Sequence, residues 1–167
     1  MRRAARALAG LAMLGSLACA PPSHSSGALR DVPFELLAEG ESFTAGAATL
    51  MVARSAGQAS ALARLAPGPD ARERLTKVDF RRSTVIGIFV GPMSSSGHRI
   101  SVQTVEADAA RVRITVAPIP PGPGHNANDV LSYPYAIIAV PAPIAPDRGI
   151  WSVVGTAGEP LIPARRY

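Results

Sequence analysis

Val85-Ile86-Gly87-Ile88-Phe89-Val90-Gly91 is the run whose reading decides the fold. It is apolar at odd and even positions alike, as a central strand covered on both faces requires. Gly87 in its middle is costly in a strand unless a neighbouring element approaches closely. Asp79, just upstream, reads as an anchor for the start of this strand rather than as a base. Downstream, Ile100, Val102 and Thr104 alternate with Ser101, Gln103 and Val105, and Val112, Ile114 and Val116 alternate with Arg111, Arg113 and Thr115. Each segment has one apolar and one polar face, so the two read as a hairpin. A slip of one residue would bury Arg113. Pairing Val102 with Val116 leaves about five residues in the connection, which calls for a longer loop or a bulge rather than a two-residue turn.

Working outward, strands are expected over 32–38, 48–53, 135–140 and 150–154. Ser55 and Gln58 have capping-box spacing, and Ala59, Leu62 and Ala66 follow at helical period, which predicts a helix over 56–66. Residues 39–42 read as a turn, 67–70 as a loop and 71–77 as a charged helical turn. Residues 118–129 hold four prolines and two glycines and are expected to be irregular. Trp151 is expected to cap the core, and the tail 165–167 to fray. The sum is a mainly β (α+β) domain of about seven strands and one or two short helices: an antiparallel sandwich or a partly open barrel.

The N-terminus has export grammar. Arg2, Arg3 and Arg6 precede an uncharged apolar stretch over 7–17 that is too short to span a bilayer. Ala18-Cys19-Ala20 fits ordinary signal cleavage, although Pro21 would then follow the cut. Leu17-Ala18-Cys19 resembles a bacterial lipobox, with Ser16 where a lipobox usually has Leu. The lipobox reading is preferred because it gives a purpose to Cys19, the one cysteine of the chain. The expected organisation is a signal over 1–18, a lipid anchor and tether over 19–30, and a single domain over 31–167. Removing the three arginines ahead of Cys19 from the 17 basic residues leaves 14 against 12 acids, a net charge of about +2. The arginines are scattered and aromatics are few, which argues against a nucleic-acid surface. No small-molecule substrate and no cofactor are expected.

Residues 78–141, in the order central strand ending in Gly91, small-residue loop Ser94-Ser95-Ser96-Gly97-His98, hairpin, Pro/Gly loop and a late strand opening on Tyr133-Pro134-Tyr135, resemble the C-terminal domain of the PrcB family. These are exported proteins named for a subunit of a bacterial surface protease complex. The family loop reads Pro-Thr-Gly-Gly-Tyr; here Gly97 is kept, and Ser95, Ser96 and His98 stand for Thr, Gly and Tyr. The resemblance implies a non-enzymatic accessory of an envelope or surface protease complex. Its partner would be another envelope protein, and its location the bacterial cell envelope, on the periplasmic or surface face.

Candidate chemistry is sparse. His98, His125 and Asp129 lack tight metal-ligand spacing, so no metal is expected. Ser94, Ser95 and Ser96 lie near His98 without a Gly-x-Ser-x-Gly elbow, so no catalytic residue is assigned. Candidate partner-binding residues are Ser94, Ser95, Ser96, Gly97, His98, Gly122, Gly124, His125, Asn126, Arg148 and Trp151. They fall on three loops, 94–98, 120–128 and 147–151. The alternative reading is a protease inhibitor presenting these loops from one end, in the manner of chagasin-like inhibitors. Whether they share an end is left open by the sequence.

Overall fold

The computed structural model describes residues 27–123, 129–144 and 149–167. Among them are nine strands and two helices: β1 (Arg30–Asp31), β2 (Glu35–Ser42), β3 (Thr49–Ala53), α1 (Ala56–Leu65), α2 (Pro69–Thr76), β4 (Ser83–Phe89), β5 (Arg99–Ala107), β6 (Arg111–Ile119), β7 (Tyr133–Pro141), β8 (Ile150–Val154) and β9 (Pro160–Arg166). They form two sheets, ordered β1-β5-β6-β8-β9 and β2-β7-β4-β3. The sheets pack as a sandwich, and the helices make a third layer on the four-stranded sheet.

That third layer explains the doubly apolar run. Ile86, Ile88 and Val90 enter the core between the sheets with Ile114, Ile138, Trp151 and Ile162. Val85 and Phe89, on the other face of β4, join Leu62, Leu75, Tyr135 and Ile137 beneath the helices. A Cβ on Gly87 would lie 2.2 Å from Leu62 Cδ1, so the glycine is what lets α1 seat against the strand. Asp79 anchors β4 as expected: its backbone oxygen accepts from the N–H groups of Arg82 and Ser83, and its carboxylate from the Arg81 N–H at 3.0 Å.

The hairpin keeps the expected register. Val102 pairs with Val116, a bulge falls between Val102 and Thr104, and Asp108, Ala109 and Ala110 connect the strands. Asp108 accepts from the backbone N–H groups of Ala110 and Arg111 and from the Arg111 guanidinium at 2.6 Å. These bonds, the guanidinium's first, hold the carboxyl of Asp108 below its ordinary range. Ser55 caps α1 by accepting from the Gln58 N–H at 3.4 Å. The Gln58 side chain reaches back to the Arg54 N–H at 2.7 Å, one residue before the cap.

The structure corrects several expectations. Residues 39–42 are the end of strand β2, not a turn; Gly40 there makes room for the Tyr135 ring, whose Cε1 would lie 3.2 Å from a Cβ. Residues 69–70 open helix α2, because proline suits the first helical position and Asp70 complements the helix N-terminus. Strand β6 runs on through Pro118, which is possible because its pairing with β8 stops at Thr115 and no ladder bond is asked of the proline nitrogen. The β6–β8 pair is parallel, since the chain crosses to the other sheet as β7 between them. The tail is strand β9. Its prolines lie at a sheet edge, and the Tyr167 hydroxyl donates to the Leu50 backbone oxygen while its ring meets Trp151 edge-on at 6.2 Å.

Candidate functional site at the loop end

β4, β6 and the reverse course of β7 define the two ends of the sandwich. Arg99 pairs with Ile119, and Phe89 with Tyr135, so the 90–98 connection and the 120–132 connection leave the same end. Ser42 pairs with Tyr133, which places the β2–β3 turn there too. Ile150 pairs with Arg111 and donates its N–H to the Ala110 oxygen at 2.8 Å, so the chain enters β8 at the opposite end. The three candidate loops therefore do not form one wedge: 94–98 and 120–123 share an end, and the approach to β8 lies at the other.

The loop end is cross-tied. Met93 and Ser132 exchange both backbone hydrogen bonds, at 2.8 and 3.0 Å. The hydroxyl of fully buried Ser132 donates to the Ser95 oxygen at 2.9 Å. Glu41, near the end of β2, accepts the Gly97 N–H on Oε2 at 2.9 Å, while its Oε1 is buried without a partner. Ser95 Oγ lies 3.3 Å from His98 Nε2. Among the described residues no carboxylate bonds the other imidazole nitrogen, so this contact closes the loop's own turn and lacks the third member that would orient a base. No group of three His, Cys, Asp or Glu side chains gathers among the described residues.

Around these ties the end exposes large apolar side chains. Phe43 is 57 % exposed, Leu131 63 % and Val130 43 %, with Ile119 beside the hairpin's end at 36 %. Sequence reasoning missed all four. Phe43 was hidden by reading 39–42 as a turn, and Val130 and Leu131 by their place after a proline-rich stretch. The available signal was a large apolar residue next to a strand end with no periodic partner.

Of the candidate residues, Ser94 and Gly122 are exposed at this end, and Ser95, Ser96, Gly97 and His98 are half-buried there. Trp151 is fully buried between the sheets, so as a partner-contact residue it is corrected, while the expectation that it belongs to the core holds. Cys19, Gly124, His125, Asn126 and Arg148 lie outside the described residues. A cleft of about 680 Å³ beside α2 is lined largely by charged side chains, among them Glu35, Asp70, Arg74 and Asp79, and by none of the loop residues.

The fold and this end define a class: a β-sandwich with one helical face that presents a tied, apolar loop end. Within it, residues 84–141, about a third of the chain, match the family model described as PrcB C-terminal. The resemblance read from the residues is thus shown over that segment, which runs from β4 to the end of β7 and supplies two of the three connections at the loop end. No curated protein and no solved structure matches the chain.

Proposed function

We propose that this is an exported, lipid-anchored protein without catalytic activity of its own, accessory to an envelope protease complex, and that the loop end is its contact face. The observation that carries the reading is the exposure of Phe43, Val130 and Leu131 on a scaffold held by the Met93–Ser132 and Glu41–Gly97 bonds. Adjoining exposed apolar side chains mark interaction sites, and a scaffold fixed beforehand loses little ordering entropy on binding. The PrcB match supports a protease-complex partner. Cys19 would carry the lipid, and multiple acyl chains would hold the protein durably.

The test is a pull-down of the full-length, C-terminally tagged chain from native envelopes, beside Phe43→Asp/Leu131→Asp and Cys19→Ser, with intact mass on each. A lipid-sized mass gain lost in Cys19→Ser, together with a protease subunit captured by the wild type and weakened about 30-fold by the double variant, is the expected result. Recovery of the folded wild type without any protease subunit refutes the assembly role, and absence of the mass gain refutes the anchor.

A further inference from the structure

The end opposite the loops has its own chemistry. The chain enters the domain there, at Gly27, whose backbone oxygen accepts from the Arg111 guanidinium at 3.1 Å. Arg111, Ile150 and Arg166 form one cross-strand row over β6, β8 and β9, and Ile150 is 39 % exposed. Arg165 and Arg166 are exposed, and the ion pairs among the described residues involve Arg111 and Lys77 instead. Exposed Arg81 and Arg82 lead into β4 at the same end, and Arg30 stands on β1. The carboxylates there are largely engaged or matched. Asp108 holds Arg111, Asp79 caps the turn at Arg81, Asp31 adjoins Arg30, and Glu106 pairs across the strands with Arg113, with Glu35 at the start of β2. The loop end, with Glu41 and Asp129 against Arg99, has no such cationic excess.

We infer that this arginine-bearing end, with Ile150 at its centre, docks on an anionic lipid bilayer surface. The inference rests on the anchored reading above for how the domain is brought to the membrane. From Cys19 to Gly27 the extended chain reaches roughly 27 Å, well beyond the ~8 Å range of unscreened charge at physiological salt. The tether alone therefore leaves the domain's orientation undetermined. The arginines select it, because each cation near an anionic surface is favoured about fivefold. Docked this way, the domain turns its loops outward by the length of β7, about 27 Å, toward a partner.

The experiment uses the chain purified from envelopes, with its mass measured first, on vesicles of zwitterionic lipid alone or with 30 % (roughly) anionic lipid. A fluorophore on Ile150→Cys or on Thr44→Cys is quenched by headgroup-labelled lipid. For a lipidated chain, the expected result is at least twofold stronger quenching at 150 than at 44 on anionic vesicles only. That difference disappears in Arg165→Glu/Arg166→Glu and in high salt. Equal quenching at both ends, or a difference that ignores lipid charge, overturns the inference while the anchor stands. An unlipidated chain overturns the anchored reading. The inference is then read from co-sedimentation: binding to anionic vesicles that the double variant weakens by at least about 25-fold supports it, and no binding overturns it. Self-quenching that rises with protein density, without headgroup quenching, assigns the surface to a second copy and also overturns it.

Discussion

Replacing Gly87 by alanine tests the three-layer packing at its tightest point. The added Cβ would stand 2.2 Å from Leu62 Cδ1, 3.1 Å from Cδ2 and 3.2 Å from Cγ, so rotating one methyl away does not clear the contact. Leu62 is fully buried beneath α1, among Leu75, Phe89 and Tyr135, and has no space to retreat into. Overpacking of this kind costs about 1–3 kcal/mol. Against it stands the strand-interior cost of glycine, about 0.5–1 kcal/mol, which alanine removes. The net expectation is a loss of about 0–2.5 kcal/mol, or up to roughly 10 °C in Tm at this chain length. Leu62→Ala alone should cost about 2–5 kcal/mol through the cavity it leaves. In the double variant the new methyl occupies part of that cavity, so the pair should be more stable than the sum of the singles by at least ~1 kcal/mol. Urea denaturation with unchanged m-values is the assay. Additivity within ~0.3 kcal/mol, or a Gly87→Ala protein more stable than wild type, would refute the claim that α1 seats on a glycine.

Trp151→Ala should cost about 3–5 kcal/mol, since it empties the centre of the inter-sheet core, yet the fraction still folded should capture partner as the wild type does. Chemical denaturation combined with capture normalised to folded protein reads both effects, and selective loss of capture would return Trp151 to the contact surface. Tyr167→Phe removes the hydroxyl that donates to Leu50 and should cost about 1 kcal/mol at neutral pH. Burial, opposed by nearby Arg165, raises the Tyr167 pKa above 10.0. Below pH 10 the phenol is protonated in both states; above it the unfolded chain ionises first, so stability falls as pH rises. The decline should be shallower in Tyr167→Phe than in wild type, with Tyr135 still contributing because burial raises its pKa as well; a parallel decline in denaturant midpoints between pH 9 and 11 would contradict this.

What could be read in the sequence was what one segment decides for itself. The doubly apolar β4, the Ser55 cap and the Val102–Val116 register each follow from local pattern, because period and burial are linked within a few residues. β9 escaped because its two prolines look like strand breakers until the strand is known to lie at a sheet edge. The parallel β6–β8 pair escaped because 30 residues and a whole strand of the other sheet separate its members, and no local signal encodes such a pairing. Of the loop end, the 94–98 segment was legible from its composition. Phe43, Val130 and Leu131 were not, since their significance lies in three connections meeting.

The same topology bears on how the two ends can work independently. Sequence neighbours alternate between ends: β4 leads to the loop end, β5 returns, β6 leads out again, and β7 comes back. Each end is thus assembled from separate connections pinned by short bonds, such as Ser132 to Ser95 at one end and Arg111 to Asp108 and Gly27 at the other. Between them lies a continuous core of fully buried Ile86, Ile114, Ile138 and Trp151, close-packed and insensitive to polar changes at either rim. Substitutions at Phe43 and Leu131 and at Arg165 and Arg166 are far enough apart, about a strand's length, for their effects to add. A quadruple variant should therefore lose partner capture and bilayer orientation by the same factors as the two doubles. A shortfall in either would mean that the core transmits strain from one rim to the other, and capture and quenching measured on the same preparation would show it.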